Sequence, residues 1–293
     1  MISFSRLGTH SRLGNHLFQY AFLRTTALRL GVKFYCPSWS GDSFFDLHDQ
    51  AERADTPLSI HLQYNEREDR PGLNMGALKI EDGTNVQGYF QSEKYLDRES
   101  VLRWYHFKEE KIANIQKRYA HVNFQNSVGL SVRLGDFLDP RLEKKFYVAR
   151  RFYYLRALEL VQHKENIVVF SDDMSRAKFM LGNLGVNTVF VENYEPYEGL
   201  YLQSQCHDFV CSTSTYSWWG AWLNTYPKRL IVAPAEGPFR PGARLNSGPF
   251  RPGVRLKNDY FWPDEWVKIR ALYPCIDHYQ FIKYKRPLFS GTR

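Results

Sequence analysis

The sequence has no long apolar run: its most hydrophobic stretches, at 167–170 and 230–233, are four residues each, against the ~20 that a bilayer-crossing helix needs. Residues 1–16 carry no apolar segment of the signal-peptide kind, which predicts a soluble, cytoplasmic chain. Cysteine is scarce, with Cys36, Cys206, Cys211 and Cys275 at irregular spacings and no C-x-x-C pair, so neither a zinc ribbon nor a disulfide scaffold is indicated. There is no D-x-D motif and no metal-ligand spacing of His, Cys, Asp and Glu; neither a metal nor a cofactor is expected. Positive charge is dispersed. The formal net charge of +8 implies an anionic partner, for which nucleic acid, membrane headgroups or a nucleotide diphosphate would all qualify; the lack of one dominant basic block weakens the first two.

What is present is enough for a sizeable core: 293 residues, 43% of them hydrophobic and 16% aromatic, sufficient for one large domain or two ordinary ones. The second half alternates regularly. Strands are expected at 128–132, 166–170, 187–191, 207–211 and 229–233, with helices at about 147–163, 174–182, 197–206 and 217–224 between them. Such alternation predicts an α/β fold with a parallel sheet, whose ligands sit at the C-terminal strand ends. The loops so marked are 133–140, 171–174 and 212–217. In the first half, residues 17–31 have the spacing of an amphipathic helix stopped by Gly31, followed by a short strand at 32–36. A strand at 85–91, a cap at Ser92 and a helix at 108–119 complete it, while 65–72 reads as a solvated loop. The boundary is placed in the loop at 121–126, giving domains 1–125 and 126–293.

The densest chemistry lies at 204–224. Ser212, Thr213, Ser214, Thr215, Tyr216 and Ser217 give six hydroxyls in succession before Trp218, Trp219 and Trp222. A helix start of this kind either holds phosphate oxygens with its hydroxyls and N–H groups or is simply capped by Ser214 or Ser217 while the tryptophans pack the core. Arg133 follows a strand and precedes Gly135 and Asp136. Its guanidinium either grips a phosphate in bidentate fashion or pairs with Asp136. Asp172 and Asp173 end the next strand; one can cap the following helix and leave the other to accept from the N–H donors of guanine.

Several segments together resemble the α1,2-fucosyltransferase family. They are RLGNHLFQYAFLRTTALRLG (12–31), VQGYFQSEKYL (86–96), VVFSDDMSRAKFML (168–181) and SxxSWWGAWLN (214–224). A fifth, LSVRLGDFLDP (130–140), stands where that family has H-x-R-R-G-D-Y, but places Ser131 at the histidine and Leu134 at the second arginine. The resemblance implies two Rossmann-like domains facing a cleft, the GT-B glycosyltransferase type. It implies a metal-independent, inverting transfer of fucose from GDP-fucose to a glycan hydroxyl, the 2-OH of a galactose, with nucleotide sugar and glycan as partners and no nucleic acid.

The residues that follow from it are Arg133 and Asp136 for catalysis, and Gly14, Asn15, Asp172, Asp173, Ser214, Thr215, Ser217 and Trp218 for the donor. His16, Tyr89, Gln91 and Glu93 are assigned to the acceptor. The proton of the acceptor hydroxyl has several destinations open to it: Asp136, Asp139, Glu93, His16 or a phosphate oxygen. Other readings keep the fold and change the donor sugar or linkage, or make the chain a catalytically silent binding homologue.

Past Pro234 the regularity stops. GPFRPGARLNS (237–247) is followed at once by GPFRPGVRLKN (248–258). Two units are too few for a solenoid, and Arg240, Arg244, Arg251 and Arg255 make either an anion-binding or partner surface or a neutral surface insertion. The segment 262–269 is expected to pack as a helix.

Overall fold

Parallel strands linked by helices build both units of the chain in a computed structural model, which describes residues 1–9, 11–57, 62–66, 78–143, 145–162, 165–240, 244–245, 254–255 and 260–271. One unit comprises Met1–Ile112 and Pro241–Pro263, the other Ala113–Arg240 and Asp264–Arg293. The division after Ile112 lies ahead of the loop at 121–126 chosen from the sequence.

The first unit contains strands β1 (Ile2–Ser3), β2 (Phe34–Tyr35), β3 (Leu62–Asn65) and β4 (Thr84–Gln87), with helices α1 (Leu13–Leu30), α2 (Gly41–Phe44) and α3 (Arg98–Trp104). The sheet order is β2-β1-β4-β3, parallel throughout. Gly31 ends α1 in the left-handed region (φ 65°), and its N–H reaches the carbonyls of Ala27 and Leu28, as a glycine C-cap does. The helix is not amphipathic as expected, because nearly every residue from Gly14 to Ala27 is buried. Its apparent polar face is used internally. Arg24 is buried, bonds Glu52 at 2.7 Å and the Leu47 carbonyl at 2.6 Å, and lies 4.3 Å from the centre of the Trp104 ring. A buried guanidinium is tolerable only when its donors are satisfied in this way. The expected solvated loop at 65–72 also differs, since Asn65 ends β3 and Glu66 is buried; residues 67–72 lie outside the described residues.

Helix α4 (Glu109–Arg118) crosses the division and leads to the second unit. There follow β5 (Ser127–Val132), α5 (Pro140–Glu143), α6 (Arg151–Leu160), β6 (Asn166–Ser171), α7 (Met174–Leu181), β7 (Asn187–Phe190), α8 (Pro196–Gln205), β8 (Asp208–Val210), α9 (Thr215–Trp222) and β9 (Ile231–Pro234). The central strands are buried on both faces. Val128, Leu130, Val132, Ile167, Val168 and Val169 are all buried, each contributing about 1.5–3 kcal/mol, as expected of parallel strands covered on both sides.

Two short strands, β10 (Arg244–Leu245) and β11 (Val254–Arg255), pair antiparallel with Arg244 opposite Arg255. These are equivalent positions of the two repeat copies, so the copies pair with each other at this point; most of the repeat lies outside the described residues. The helix expected at 262–269 is corrected by β12 (Val267–Ile269), which pairs with β9 as Val267↔Val232, Lys268↔Ala233 and Ile269↔Pro234. A sheet edge offering unpaired backbone groups, met by β-branched residues, outweighs local helical spacing.

The second unit's sheet has the order β12-β9-β8-β5-β6-β7, all parallel. Chain order runs outward from β5 one way to β7 and from β8 the other way to β12. This is a doubly wound arrangement, and its reversal point falls between β5 and β8.

Candidate active site

At that reversal point the sequence leaves β5 through Arg133 and leaves β8 through 212–217. The adjacent β6 delivers Asp172. Arg133 donates from Nη1 to Asp172 Oδ2 at 2.6 Å and from Nη2 to Asp136 Oδ1. The second oxygen of Asp172 accepts from the Leu134 backbone N–H at 2.9 Å. Asp172 therefore grips both the side chain of Arg133 and the next peptide unit. Gly135 makes the approach possible: a Cβ there would land on the Asp172 carboxylate. The guanidinium also stands 4.8 Å from the centre of the Phe137 ring, which stacks on Phe146. Leu134 turns inward and belongs to the buried hydrophobic cluster that also contains Val132, Tyr154 and Leu158, so the position that holds an arginine in the resembling family is core here.

Hydroxyls from neighbouring helices tie down the strand ends. Tyr154 donates to the Ser131 carbonyl at 3.0 Å and Tyr153 to that of Cys211 at 2.7 Å, and burial raises both phenols above their ordinary range. Tyr194 contacts the Ser171 carbonyl at 3.4 Å; burial, then the negative charge of Asp172, pushes its hydroxyl up to about 12. All three remain protonated donors near neutrality. Ser131 meets Ser212 at 3.1 Å, hydroxyl to hydroxyl, across β5 and β8. No sequence motif flags these tyrosines, because their partners are carbonyls distant along the chain.

The remaining candidates of this unit take distinct places. Asp173 caps α7 by accepting from the Arg176 N–H at 3.1 Å, and its other oxygen pairs with the Arg176 guanidinium at 3.2 Å. Ser214 caps α9 by accepting from the Tyr216 N–H at 3.2 Å, and Thr215, half-buried, opens that helix. Ser217 and Trp218, expected at the donor, lie in the core instead. Ser217 accepts from the Ser212 N–H, and Trp218 is fully buried and stacked on Trp222. Eight residues in which three are tryptophans must bury their rings first. Beside Arg133 a cavity of about 710 Å³ is lined by Gly135, Asp136, Leu138, Asp139, Pro140 and Arg176.

Gly14, Asn15, His16, Tyr89, Gln91 and Glu93 belong to the first unit. Gly14 and Asn15 sit in the opening turn of α1, and His16 is buried. Asn15 accepts from the Gln91 side chain at 2.7 Å, so two residues assigned to different substrates touch. Tyr89 is half-buried, and Glu93 begins a short 3-10 turn capped by Ser92, which accepts from the Lys94 N–H.

A doubly wound sheet with an oriented arginine and a hydroxyl-capped helix at its reversal point defines an α/β protein whose polar groups gather where such sheets take ligands. The sequence profile of glycosyl transferase family 11 matches residues 74–238, and the chain belongs to that family. Among its relatives, an O-antigen biosynthesis glycosyltransferase of Escherichia coli, WbnK, is 33% identical over 176 residues, 55% of this chain and 58% of that protein. An alpha-1,2-colitosyltransferase of Escherichia coli is 25% identical over 190 residues, 62% of this chain and 61% of that protein. The alignments thus span about three fifths of these relatives. In fold, the chain is similar to POFUT1 crystallised with GDP, at a TM-score of 0.54 and 11% identity over 79% of this chain and 97% of that one. POFUT1 with GDP-fucose gives 0.52 and 10% over the same shares.

Proposed function

We propose that this chain transfers fucose from GDP-fucose to a glycan hydroxyl, the 2-OH of a galactose residue, with inversion and with neither metal nor cofactor, on two α/β units of the GT-B kind. The carrying observation is Arg133, placed at the reversal point of the second sheet and oriented by Asp172. Family membership and the fold shared with POFUT1 support the reading.

In this reaction the bond between the sugar's C1 and the diphosphate oxygen breaks and its electron pair leaves with GDP. The acceptor oxygen forms the new bond to C1 and loses its proton. The charge developing on the diphosphate needs a fixed cation. At rest Arg133 is matched by two carboxylates, and these are not equivalent. The Asp136 side chain is 36% exposed, whereas that of Asp172 is 25% exposed and also holds Leu134. Asp136 is the one that yields its place to a phosphate oxygen. Released from Arg133, its carboxylate takes the acceptor proton. Capping leaves neither aspartate over, because Asp173 is the cap and Asp172 holds Arg133 and Leu134; guanine is read by the second oxygen of Asp173, whose contact with the 63% exposed Arg176 side chain is readily exchanged. Ser214 and Thr215 serve the diphosphate at the α9 start, and Gly14, Asn15, Gln91, Tyr89, His16 and Glu93 serve the sugar and the acceptor.

The test is release of GDP from GDP-fucose with galactose-terminated glycans, in excess chelator, with NMR assignment of the product linkage and anomer. A second reading, transfer of a different sugar, is favoured by the 25% identical relative named for colitose. GDP-colitose as competing donor decides between them by the ratio of kcat/KM values. No turnover of either donor would leave a silent homologue.

A further inference from the structure

Glu66 follows β3, in a stretch whose composition suggests solvent, yet it is buried. One carboxylate oxygen accepts two consecutive backbone N–H groups, from Tyr89 at 2.8 Å and Phe90 at 2.7 Å. The turn it holds is strained. Phe90 adopts φ 51°, in the left-handed region that bulky residues avoid, and its ring stacks 3.6 Å from that of Phe22. Gly88 sits at φ 158°, where a Cβ would be 2.8 Å from the carboxylate oxygen of Glu66. Gln19 fixes the same turn from α1, donating to the Gly88 carbonyl at 3.0 Å. One residue past Phe90, Gln91 donates to Asn15.

A buried acceptor that satisfies two adjacent amides compensates backbone strain that such a turn would otherwise relax. We propose that Glu66 is a positioning residue: it locks the turn at 88–91 and thereby holds Gln91 against Asn15, in the arrangement that meets the substrate. This rests on the reading above that Asn15 and Gln91 contact the sugar and the acceptor. The geometry works in either protonation state, because the oxygen that accepts both amides keeps its lone pairs when the proton rides on the other. Burial and the two amides govern its ionisation; no charged side chain among the described residues adds to them.

The experiment compares kcat/KM for GDP-fucose transfer in Glu66→Ala, Glu66→Gln, Gln91→Ala and the Glu66→Ala/Gln91→Ala pair, with amide exchange at Tyr89 and Phe90. Misplacing a substrate contact costs roughly 10²-fold, so Glu66→Ala should fall by about that factor and Glu66→Gln should recover most of it. The double variant should fall no further than Gln91→Ala alone, as residues acting through one another do not add. Tyr89 and Phe90 should exchange slowly in the native and Glu66→Gln proteins and fast in Glu66→Ala. If Glu66→Ala does not fold, Glu66→Asp, which shortens the reach of the carboxylate, carries the same comparison. Native kcat/KM in Glu66→Ala, or losses that multiply in the double variant, overturns the role of Glu66. Absence of turnover in the native protein overturns the underlying reading instead.

Discussion

Arg133 and Asp172 meet at 2.6 Å across the ends of two neighbouring parallel strands, 39 residues apart in the chain. The pair orients the guanidinium from one side only and leaves Nη2 to a carboxylate that can be displaced. On the proposed reading, Asp172 is the fixed support and Asp136 the one exchanged for phosphate.

Arg133→Ala should lose roughly 3–4 kcal/mol of transition-state stabilisation, a fall of ~10²–10³ in turnover. Arg133→Lys should recover little, since an ammonium keeps the charge without the two-pronged geometry. Steady-state kinetics on both, after circular dichroism has confirmed folding, provides the check; native turnover in Arg133→Ala would displace the arginine from its assigned role.

The two residues after Arg133 should fail for different reasons. Leu134→Arg places a charge among buried apolar side chains and should cost several kcal/mol of stability without raising activity. Gly135→Ala drives a methyl group into the Asp172 carboxylate, so kcat should drop at least ~10-fold through loss of orientation, with a smaller change in thermal midpoint. A gain in turnover from Leu134→Arg would mean that one arginine is insufficient at this site.

Asp173 combines a helix cap with an exchangeable oxygen, and two substitutions separate these. Asp173→Asn keeps a good cap and should leave the melting curve nearly unchanged while removing the preference for GDP over ADP. Asp173→Ala should lose that preference and also about 1 kcal/mol of stability. Calorimetric affinities for the two nucleotides measure the first effect; an undiminished GDP preference in Asp173→Asn would assign guanine to another group.

Burial pushes the Glu66 carboxyl up from 4.5 to about 7. The folded protein then keeps this proton to higher pH than the unfolded chain does. Between pH 4.5 and 7 the unfolded state ionises first, so stability falls as pH rises and levels off above 7; the contribution lost is at most roughly 3 kcal/mol. Glu66→Gln should flatten this slope. Urea midpoints of the two proteins across pH 4.5–7.5 should lie closest at low pH, where both side chains are neutral, and separate toward pH 7 as Glu66 ionises; a pH-independent gap between them would contradict the shift.

The strand and helix alternation of the second unit was legible because parallel strands buried on both faces are continuous apolar runs, and each ends where polar residues begin. The motif-bearing loops after β5, β6 and β8 followed from the same pattern, as did the glycine stop of α1. Local spacing could not reveal which polar residues would be turned inward. Arg24 and Glu66 are ionisable yet buried, because Glu52 carries the matching charge in one case and two backbone amides supply the donors in the other. Ser217 and Trp218 share a motif with Ser214, but helix geometry puts their side chains in the core.

Local periodicity and breaker residues were enough to read the strands β5 to β9 with the helices between them, the C-cap of α1 and the residue types at the strand ends; β1, β3 and β12 were not readable in that way. That β12 is a strand, that Asp172 joins Asp136 in holding Arg133, and that Asn15 meets Gln91 emerged from the folded chain alone. Each of these is a contact between residues distant along the chain, and its geometry exists only once the strands have taken their places in a sheet.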